Sequence, residues 1–130
     1  MYAADNDDRC PPASEWMDAI YPYMRIRSVY VDPTLIKPKS DEYGYAFYRP
    51  ASYVGYENVT NTNEVPIVFQ SSDLRWNATG DLSRLGKRWR NGGSTVAFMD
   101  GHARAMPPTW PEKPIEIKFE FASEREGARK

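Results

Sequence analysis

The chain has 130 residues, with 17 basic and 18 acidic side chains and a formal net charge of −1. This length predicts one domain with a modest core, and the near-neutral charge provides no global attraction to nucleic acid or to an anionic membrane. A single cysteine, Cys10, excludes an intramolecular disulfide and an all-cysteine metal site, and a single histidine, His102, excludes a zinc site that needs two histidines.

The first ten residues contain an acidic run, Asp5, Asp7 and Asp8. Closely spaced carboxylates are ligands that calcium prefers, but the run lacks the glycine and the distant glutamate of an EF-hand loop. Two interpretations stay open: a calcium site, or an acidic, solvated turn. Cys10 follows, and as a nucleophile it would need His102 as its base, so we expect no catalytic cysteine.

A short amphipathic helix is predicted after Ser14. Ser14 is a suitable N-cap, and Pro22 should end or kink the helix early. Apolar residues follow at the spacing i, i+4, i+7 and i+8, which predicts one face packed on a sheet. The residues on this face are Trp16, Ile20, Tyr23 and Met24.

Three further segments have the patterns of strands. Residues 43–48 place aromatic side chains at alternate positions, and residues 66–70 contain a short apolar run that predicts a buried central strand. Residues 115–121 alternate without a break, with apolar side chains on one face and Glu116, Lys118 and Glu120 on the other. Residues 51–64 are polar and rich in turn residues, and we expect an exposed excursion there.

Residues 71–91 form the longest predicted loop, in which basic residues are interleaved with tryptophans. This interleaving suits a nucleic-acid surface, with guanidinium groups on phosphates and indoles on bases. Two alternatives stay open: the tryptophans pin the loop to the sheet while its charges are solvated, or they dock a neighbouring subunit. The candidate interaction residues are Arg75, Trp76, Arg84, Arg88, Trp89 and Arg90.

The clearest element is a β-hairpin with strands at residues 94–99 and 102–106. Val96 and Phe98 alternate with smaller residues, as in a half-buried strand. Asp100-Gly101 is typical of a type I′ turn, and the glycines before the first strand let the chain enter the sheet sharply. The predicted structural turn residues are Gly92, Gly93, Asp100, Gly101 and His102.

His102 is the first candidate for catalytic chemistry, because it lies near Asp100 and Ser94 in the sequence. A catalytic triad needs three groups that converge on one reacting atom, whereas Asp100 and Gly101 are explained by the turn itself. The sequence shows no phosphate-binding glycine loop, paired-carboxylate motif or cofactor fingerprint. We therefore expect a protein that is not an enzyme, with no cofactor and no small-molecule substrate.

The stretch RNGGSTVAFMDGHARAMP, residues 90–107, resembles the C-terminal signature of bacterial prepilin-like proteins, which are related to type II secretion pseudopilins. That signature is a histidine, nine residues and then Asp-Gly, and Arg90 occupies the position of its histidine. The matching residues are Gly92, Gly93, Val96, Phe98, Asp100, Gly101 and His102.

The resemblance extends loosely to other segments. Residues 16–23 are similar to a Trp-x-x-x-Leu-x-Pro-Tyr segment of the family. Asp32 occupies a position where relatives often carry a cysteine that can form a disulfide, and Gln70 occupies one where an aspartate is common. No disulfide is therefore expected at Asp32.

The predicted elements favour an α+β fold, in which a short helix packs on an antiparallel sheet of four or five strands, and the resemblance implies that this fold is a pilin-like head. The head is expected to span residues 1–122, followed by a disordered, charged tail at residues 123–130. Residues 1–4 would be the last turn of an N-terminal transmembrane helix that this sequence lacks, since no apolar run in it reaches the about 18 residues that span a membrane. The strands are assigned to residues 43–48, 66–70, 94–99, 102–106 and 115–121.

The resemblance also implies a function. A pseudopilin-like protein is a structural subunit of a type II secretion or type IV pilus-like filament, and it binds other pilin-like subunits through its N-terminal helix. It would be anchored in the inner membrane with its head in the periplasm or at the cell surface, and a head without that helix would be soluble. The alternative is a minor pilin head that binds extracellular DNA or polysaccharide through residues 71–91.

Overall fold

The computed structural model describes residues 5–6, 8–35, 38–86 and 93–120 of the chain. A short helix, α1 (Trp16–Ile20), accompanies one five-stranded sheet, so the predicted α+β class is confirmed. No helix among these residues is long and apolar enough to cross a membrane. The strands are β1 (Tyr45–Tyr48), β2 (Pro66–Gln70), β3 (Thr79–Gly80), β4 (Ser94–Phe98) and β5 (Ala103–Met106).

The sheet has the order β3-β1-β2-β4-β5, with the predicted buried strand β2 at its centre. The pairs β1–β2, β2–β4 and β4–β5 are antiparallel, but β3 runs parallel to β1, so the prediction of a purely antiparallel sheet was wrong. The parallel strand lies inside the predicted loop 71–91. It was missed because two residues, Thr79 and Gly80, are too few to show an alternating pattern.

Of the predicted strand at residues 115–121, residue 121 lies outside the described residues, and residues 115–120 are not part of the sheet. Phe119 forms an isolated antiparallel bridge to Val59, in which Thr60 N–H donates to Lys118 at 2.9 Å and Glu120 N–H donates to Asn58 at 2.7 Å. The backbone N–H of Lys118 donates to the side chain of Asn61 at 2.9 Å. The predicted alternation holds only in part: Ile115 and Ile117 are half-buried and Glu116 is exposed, but Phe119 is exposed as well. The bonds to Asn58, Thr60 and Asn61 attach the segment to a loop and do not extend the sheet.

Helix α1 is shorter than its apolar face predicted. It ends at Ile20, before Pro22, and Tyr23 and Met24 are exposed instead of packed on the sheet. Ser14 is not its cap, because a 3₁₀ turn, Ala13–Glu15, precedes the helix. The cap comes from 60 residues away: the Asn77 side-chain oxygen accepts from the N–H groups of Met17 and Asp18 at 2.8 and 3.1 Å.

The core includes consecutive residues of β1, from Ala46 to Tyr48, and alternate residues of β4, where Thr95 is exposed. Residues 51–64 contribute to it, so the predicted exposed excursion was partly wrong: Ala51 and Val59 are buried and a 3₁₀ turn forms at Tyr56–Asn58. The N-terminal segment docks on the same region, where the N–H of Cys10 donates to Val54 at 2.8 Å. The largest fully buried apolar side chains include Met17, Phe47, Val65, Phe69 and Val96.

Candidate functional site

The hairpin β4–β5 was predicted correctly, but its turn has a different geometry. Gly101 N–H donates to Phe98 at 3.0 Å, and Phe98 N–H donates to His102 at 2.8 Å, which closes a three-residue loop. Neither Met99 nor Asp100 has a positive φ, whereas Gly101 has a φ of 95°. A type I′ turn at Asp100-Gly101 would need positive φ at both residues, so this is a β-turn followed by a glycine bulge.

Contacts between Asp100 and His102 stabilise the turn. One Asp100 carboxylate oxygen accepts from the His102 backbone N–H at 3.1 Å and also contacts His102 Nδ1. The backbone hydrogen bond from His102 is the main cause that lowers the pKa of Asp100 below its usual range. The imidazole stacks on Phe98 with a centroid distance of 4.5 Å and an interplanar angle of 5°. Both residues are therefore used to hold the loop in place.

Ser94 lies at the other end of the hairpin. It pairs with Met106, and its hydroxyl donates to the carbonyl of Gly86 at 2.6 Å. The sequence neighbours Ser94, Asp100 and His102 are thus not brought together as a triad.

Gly93 permits a close approach between the two strands. A Cβ at this position would lie 2.1 Å from the carbonyl oxygen of Met106, a distance too short for any side chain. This contact explains why a glycine precedes β4. Gly92, the other predicted entry glycine, lies outside the described residues.

A cleft of about 700 Å³ lies beside the hairpin, between β5 and residues 107–118. Phe98, His102 and Trp110 form its aromatic wall, with Trp110 edge-on to Phe98 at 6.1 Å. This volume is within the range of ligand sites. The cleft could not be predicted from the sequence because its walls come from three separate segments, although Trp110 between prolines was a local signal. Residues Arg104, Met106, Asn63 and Glu64 also line it.

Charged side chains of both signs surround the cleft. Across the described ranges, none of the six lysine, arginine and glutamate side chains that line it makes an ion pair. The cleft therefore has balanced charge, with individual cations and carboxylates exposed for a ligand. The six residues are Arg104, Lys113, Lys118, Glu64, Glu112 and Glu116.

The predicted interaction loop is pinned to the head by Trp76. Its indole packs against Tyr30 and Tyr43 with centroid distances of 5.0 and 5.1 Å, and its N–H donates to Asp18 at 2.7 Å. The Arg27 guanidinium lies over the same ring at 4.6 Å. The indole is thus used inside the protein, as one of the sequence-based alternatives predicted.

The cations of that loop do not converge on Trp76. Arg75 pairs with Asp73 at 2.7 Å, and the side chain of Arg84 passes over Gly80, where an added Cβ would lie 3.1 Å from the Arg84 Cγ. Arg88, Trp89 and Arg90 lie outside the described residues, so their part of the predicted surface stays a prediction.

Two residues of the acidic N-terminal run, Asp5 and Asp8, contact the rest of the described chain, and the Asp8 carbonyl accepts from Tyr56 N–H at 2.9 Å. Asp5 accepts a hydrogen bond from the Tyr23 hydroxyl at 2.7 Å, Asp8 has a φ of 53°, and Asp7 lies outside the described residues. Among the residues that are described, no three His, Cys, Asp or Glu side chains form a group that could hold a metal. The calcium site stays a prediction.

An exposed apolar segment, residues 23–29, follows α1. Six large apolar side chains are exposed in the described structure, and four of them, with exposed fractions from 38% to 65%, lie in this segment. Its exposure was not predicted because the helical spacing placed Tyr23 and Met24 in the core. The four residues are Tyr23, Met24, Ile26 and Val29.

The chain was compared with protein-family models, with curated proteins and with solved structures, and none of the three comparisons found a match.

Proposed function

We propose that the chain is the head of a pilin-like subunit, a structural component of a type II secretion or type IV pilus-like filament. In this proposal an apolar N-terminal helix anchors the full-length subunit in the inner membrane and packs against other subunits. The head lies in the periplasm or at the cell surface. The resemblance of residues 90–107 to the prepilin-like signature motivates the proposal.

The observation that carries it is the exposed apolar segment 23–29. A large apolar surface on a soluble domain marks an interaction site, and Tyr, Met and Arg are the residue types enriched in interfaces. The bond between Tyr23 and Asp5 places the segment beside the N-terminal end of the described head. A neighbouring subunit packed along the N-terminal helices would meet the head on this side.

The contacts of the signature residues support a structural role. Gly93, Asp100, Gly101 and His102 each serve the geometry of the hairpin. These roles in the conformation and packing of the hairpin do not involve a substrate. Replacement of His102 by Ala should therefore leave any assembly phenotype intact, apart from a loss of stability in the turn.

Cysteine cross-linking of the full-length gene product tests the subunit contact. Ile26→Cys places a thiol in the apolar segment, where Ile26 is 65% exposed, and Tyr53→Cys is a control at a position 60% exposed outside it. The native Cys10 is buried and should not compete. We expect cross-linked multimers from Ile26→Cys and not from Tyr53→Cys. Equal cross-linking of both variants, or of neither, would count against the proposal.

The reading frame upstream of Met1 tests the filament assignment directly. The proposal requires a basic leader and then about 20 apolar residues that open with Phe and carry a Glu near the start. An in-frame stop codon immediately before Met1 would overturn it.

A further inference from the structure

Strand β5 forms one edge of the sheet, and the hydrogen-bond register shows which of its backbone groups face outward. Phe98 and His102 form a bonded pair across the hairpin, and the register continues to Val96 opposite Arg104 and Ser94 opposite Met106. Because bonded pairs alternate along an antiparallel ladder, Arg104 and Met106 direct their backbone groups toward β4. Ala103 and Ala105 therefore direct theirs away from the sheet.

Two observations agree with this assignment. The N–H of Thr95, which is opposite Ala105, points away from β5 and donates to the Gln70 side chain at 2.7 Å. Ala103 and Ala105 are exposed, and no described residue bonds the outward N–H and C=O groups of either. The edge thus has two N–H donors and two C=O acceptors, on residues two positions apart, as a neighbouring strand would require.

The cleft lies against this edge. Successive side chains of a strand point to opposite faces, so Arg104, Met106 and His102 share one face, and all three line the cleft. Some proteins bind an extended peptide as an added strand at the edge of a sheet. This arrangement needs unbonded backbone groups at the edge and a pocket beside them for alternate side chains of the peptide. Backbone bonds supply affinity in that mode, and the pocket supplies specificity.

The charge on β5 selects against self-pairing. Two copies of β5 could pair antiparallel and use the N–H and C=O groups of both Ala103 and Ala105 in only one register. In that register Ala103 of each copy is opposite Ala105 of the other, so the two Arg104 side chains are directly opposite each other. Like charges in that position are destabilising. No carboxylate among the described residues pairs with Arg104. The edge is therefore complementary to a strand with an acidic residue at this position.

We propose that the outer edge of β5 binds an extended peptide segment of a partner protein as a sixth strand. Ala103 and Ala105 exchange backbone hydrogen bonds with the peptide. An acidic peptide residue lies opposite Arg104, and an apolar side chain two positions away enters the cleft against Trp110. This binding does not require that the chain assemble into a filament.

A peptide with alternating side chains tests the proposal. The probe is an acetylated, amidated and fluorescein-labelled Thr-Phe-Thr-Glu-Thr-Leu-Thr, and binding to the whole chain is measured by fluorescence anisotropy. Ala105→Pro removes an outward N–H without removing a bond to β4, whereas Ala105→Ser keeps that N–H. We expect Ala105→Pro to raise the Kd at least tenfold and Ala105→Ser to leave it within twofold. Thermal unfolding of both variants verifies that they fold.

A charge exchange tests the register. Arg104→Glu should weaken binding of the glutamate probe at least tenfold and should restore binding to a probe in which lysine replaces the glutamate. Trp110→Ala should weaken binding of both probes, because it removes the wall of the cleft.

Three outcomes would overturn the proposal. The first is equal binding by Ala105→Pro and Ala105→Ser, which means that the edge is not used. The second is no binding of either probe at millimolar concentration. The third is a dimer of the chain in solution that Ala105→Pro dissociates, which means that the edge serves a second copy. None of them bears on the cross-linking at Ile26 or on the upstream reading frame.

Discussion

The buried Asp32 carboxylate accepts two hydrogen bonds from the side-chain amide of Gln70, at 2.9 and 3.1 Å, across 38 residues of sequence. The same Gln70 side chain accepts from the backbone of Thr95 at 2.7 Å, so the contact joins the loop after Tyr30 to β4. Under the proposed prepilin-like assignment, Asp32 and Gln70 depart from a pattern in which a cysteine and an aspartate are common at these positions. The two departures meet in space, and an amide opposite a carboxylate avoids the repulsion that two carboxylates would create.

Substitutions in this pair should be costly. Asp32→Leu removes the acceptor of a buried amide, and we expect a loss of about 2–3 kcal/mol in the free energy of unfolding. Gln70→Glu places a second carboxylate against Asp32, so the carboxyl introduced should have a pKa raised above about 4.3. The resulting destabilisation should be large at pH 7 and smaller at pH 5, relative to the unsubstituted chain in each buffer. Urea unfolding at both pH values measures this, and an unchanged midpoint for Gln70→Glu at pH 7 would contradict it.

The two glycines of the hairpin should respond to alanine for different reasons. Gly93→Ala forces a Cβ against the Met106 carbonyl, at 2.1 Å before relaxation, and should cost about 3 kcal/mol because the two strands must separate. At Gly101 nothing lies within 4 Å of the added Cβ, and only the positive φ of 95° opposes it. Gly101→Ala should therefore cost about 1 kcal/mol. Denaturant unfolding of both variants compares them, and a larger loss at Gly101 would reverse this ranking.

The sequence predicted elements whose signals are local. The alternation in β4 and the Asp100-Gly101 pair specified the hairpin, and the apolar run in β2 specified the central strand. The parallel strand β3 could not be predicted because its two residues form a strand only through contacts with Phe47 and Tyr48. Residues 115–117 alternate in burial as predicted, but Phe119 is exposed. The segment pairs with the loop at residues 58–61 and not with an edge of the sheet.

The site was harder to predict than the fold, since its groups come together only in three dimensions. Trp76 was identified as a candidate contact residue, and the tyrosines that surround it come from distant segments. Helical spacing assigned Tyr23 and Met24 to the core, and the early end of α1 at Ile20 exposes them. The outward groups of Ala103 and Ala105 follow from the register, which a sequence does not contain.

Because of Cys10, the free energy of unfolding should decrease at alkaline pH. Burial raises the pKa of this thiol above its usual range, and a hydrogen bond with Tyr56 opposes the increase in part. Because the folded pKa is higher than the unfolded one, the contribution is complete below about pH 8.5 and is lost as the pH rises through the folded pKa. The free energy of unfolding should therefore fall as the pH rises above about 8.5, and Cys10→Ala should reduce that slope.

The slope is the quantity to compare, because Cys10→Ala also removes buried volume and lowers stability at every pH. Tyr56 follows the same direction, since burial raises its pKa above the usual range. Reaction with a thiol reagent gives a second measurement: Cys10 should react only when the chain opens. Fast labelling of the native protein would show that the thiol is accessible, and equal slopes for the two chains would show that folding does not raise its pKa.

Because of Asp18, the free energy of unfolding should decrease at acid pH. Its carboxylate accepts from the Trp76 indole N–H at 2.7 Å and from the Asn77 amide at 2.6 Å. The bond from Trp76 is the main cause that lowers the pKa of Asp18 below its usual range. The folded pKa is then lower than the unfolded one, so the contribution is present above about pH 3.9 and is lost as the pH falls through the folded pKa. Because the carboxylate is exposed to solvent, we expect only about 0.5 kcal/mol.

Tryptophan fluorescence can detect this step, because protonation of Asp18 weakens the bond to the indole of Trp76. In the unsubstituted chain we expect a fluorescence transition that precedes global unfolding and lies below about pH 3.9, the usual pKa of an aspartate. Trp76→Phe should abolish the transition, since the indole N–H of Trp76 is the one that donates to Asp18, whereas that of Trp16 donates to Ala78. Asp18→Asn should abolish it as well and should flatten the acid dependence of the unfolding free energy. A transition of equal size in Asp18→Asn would assign the signal to another carboxylate.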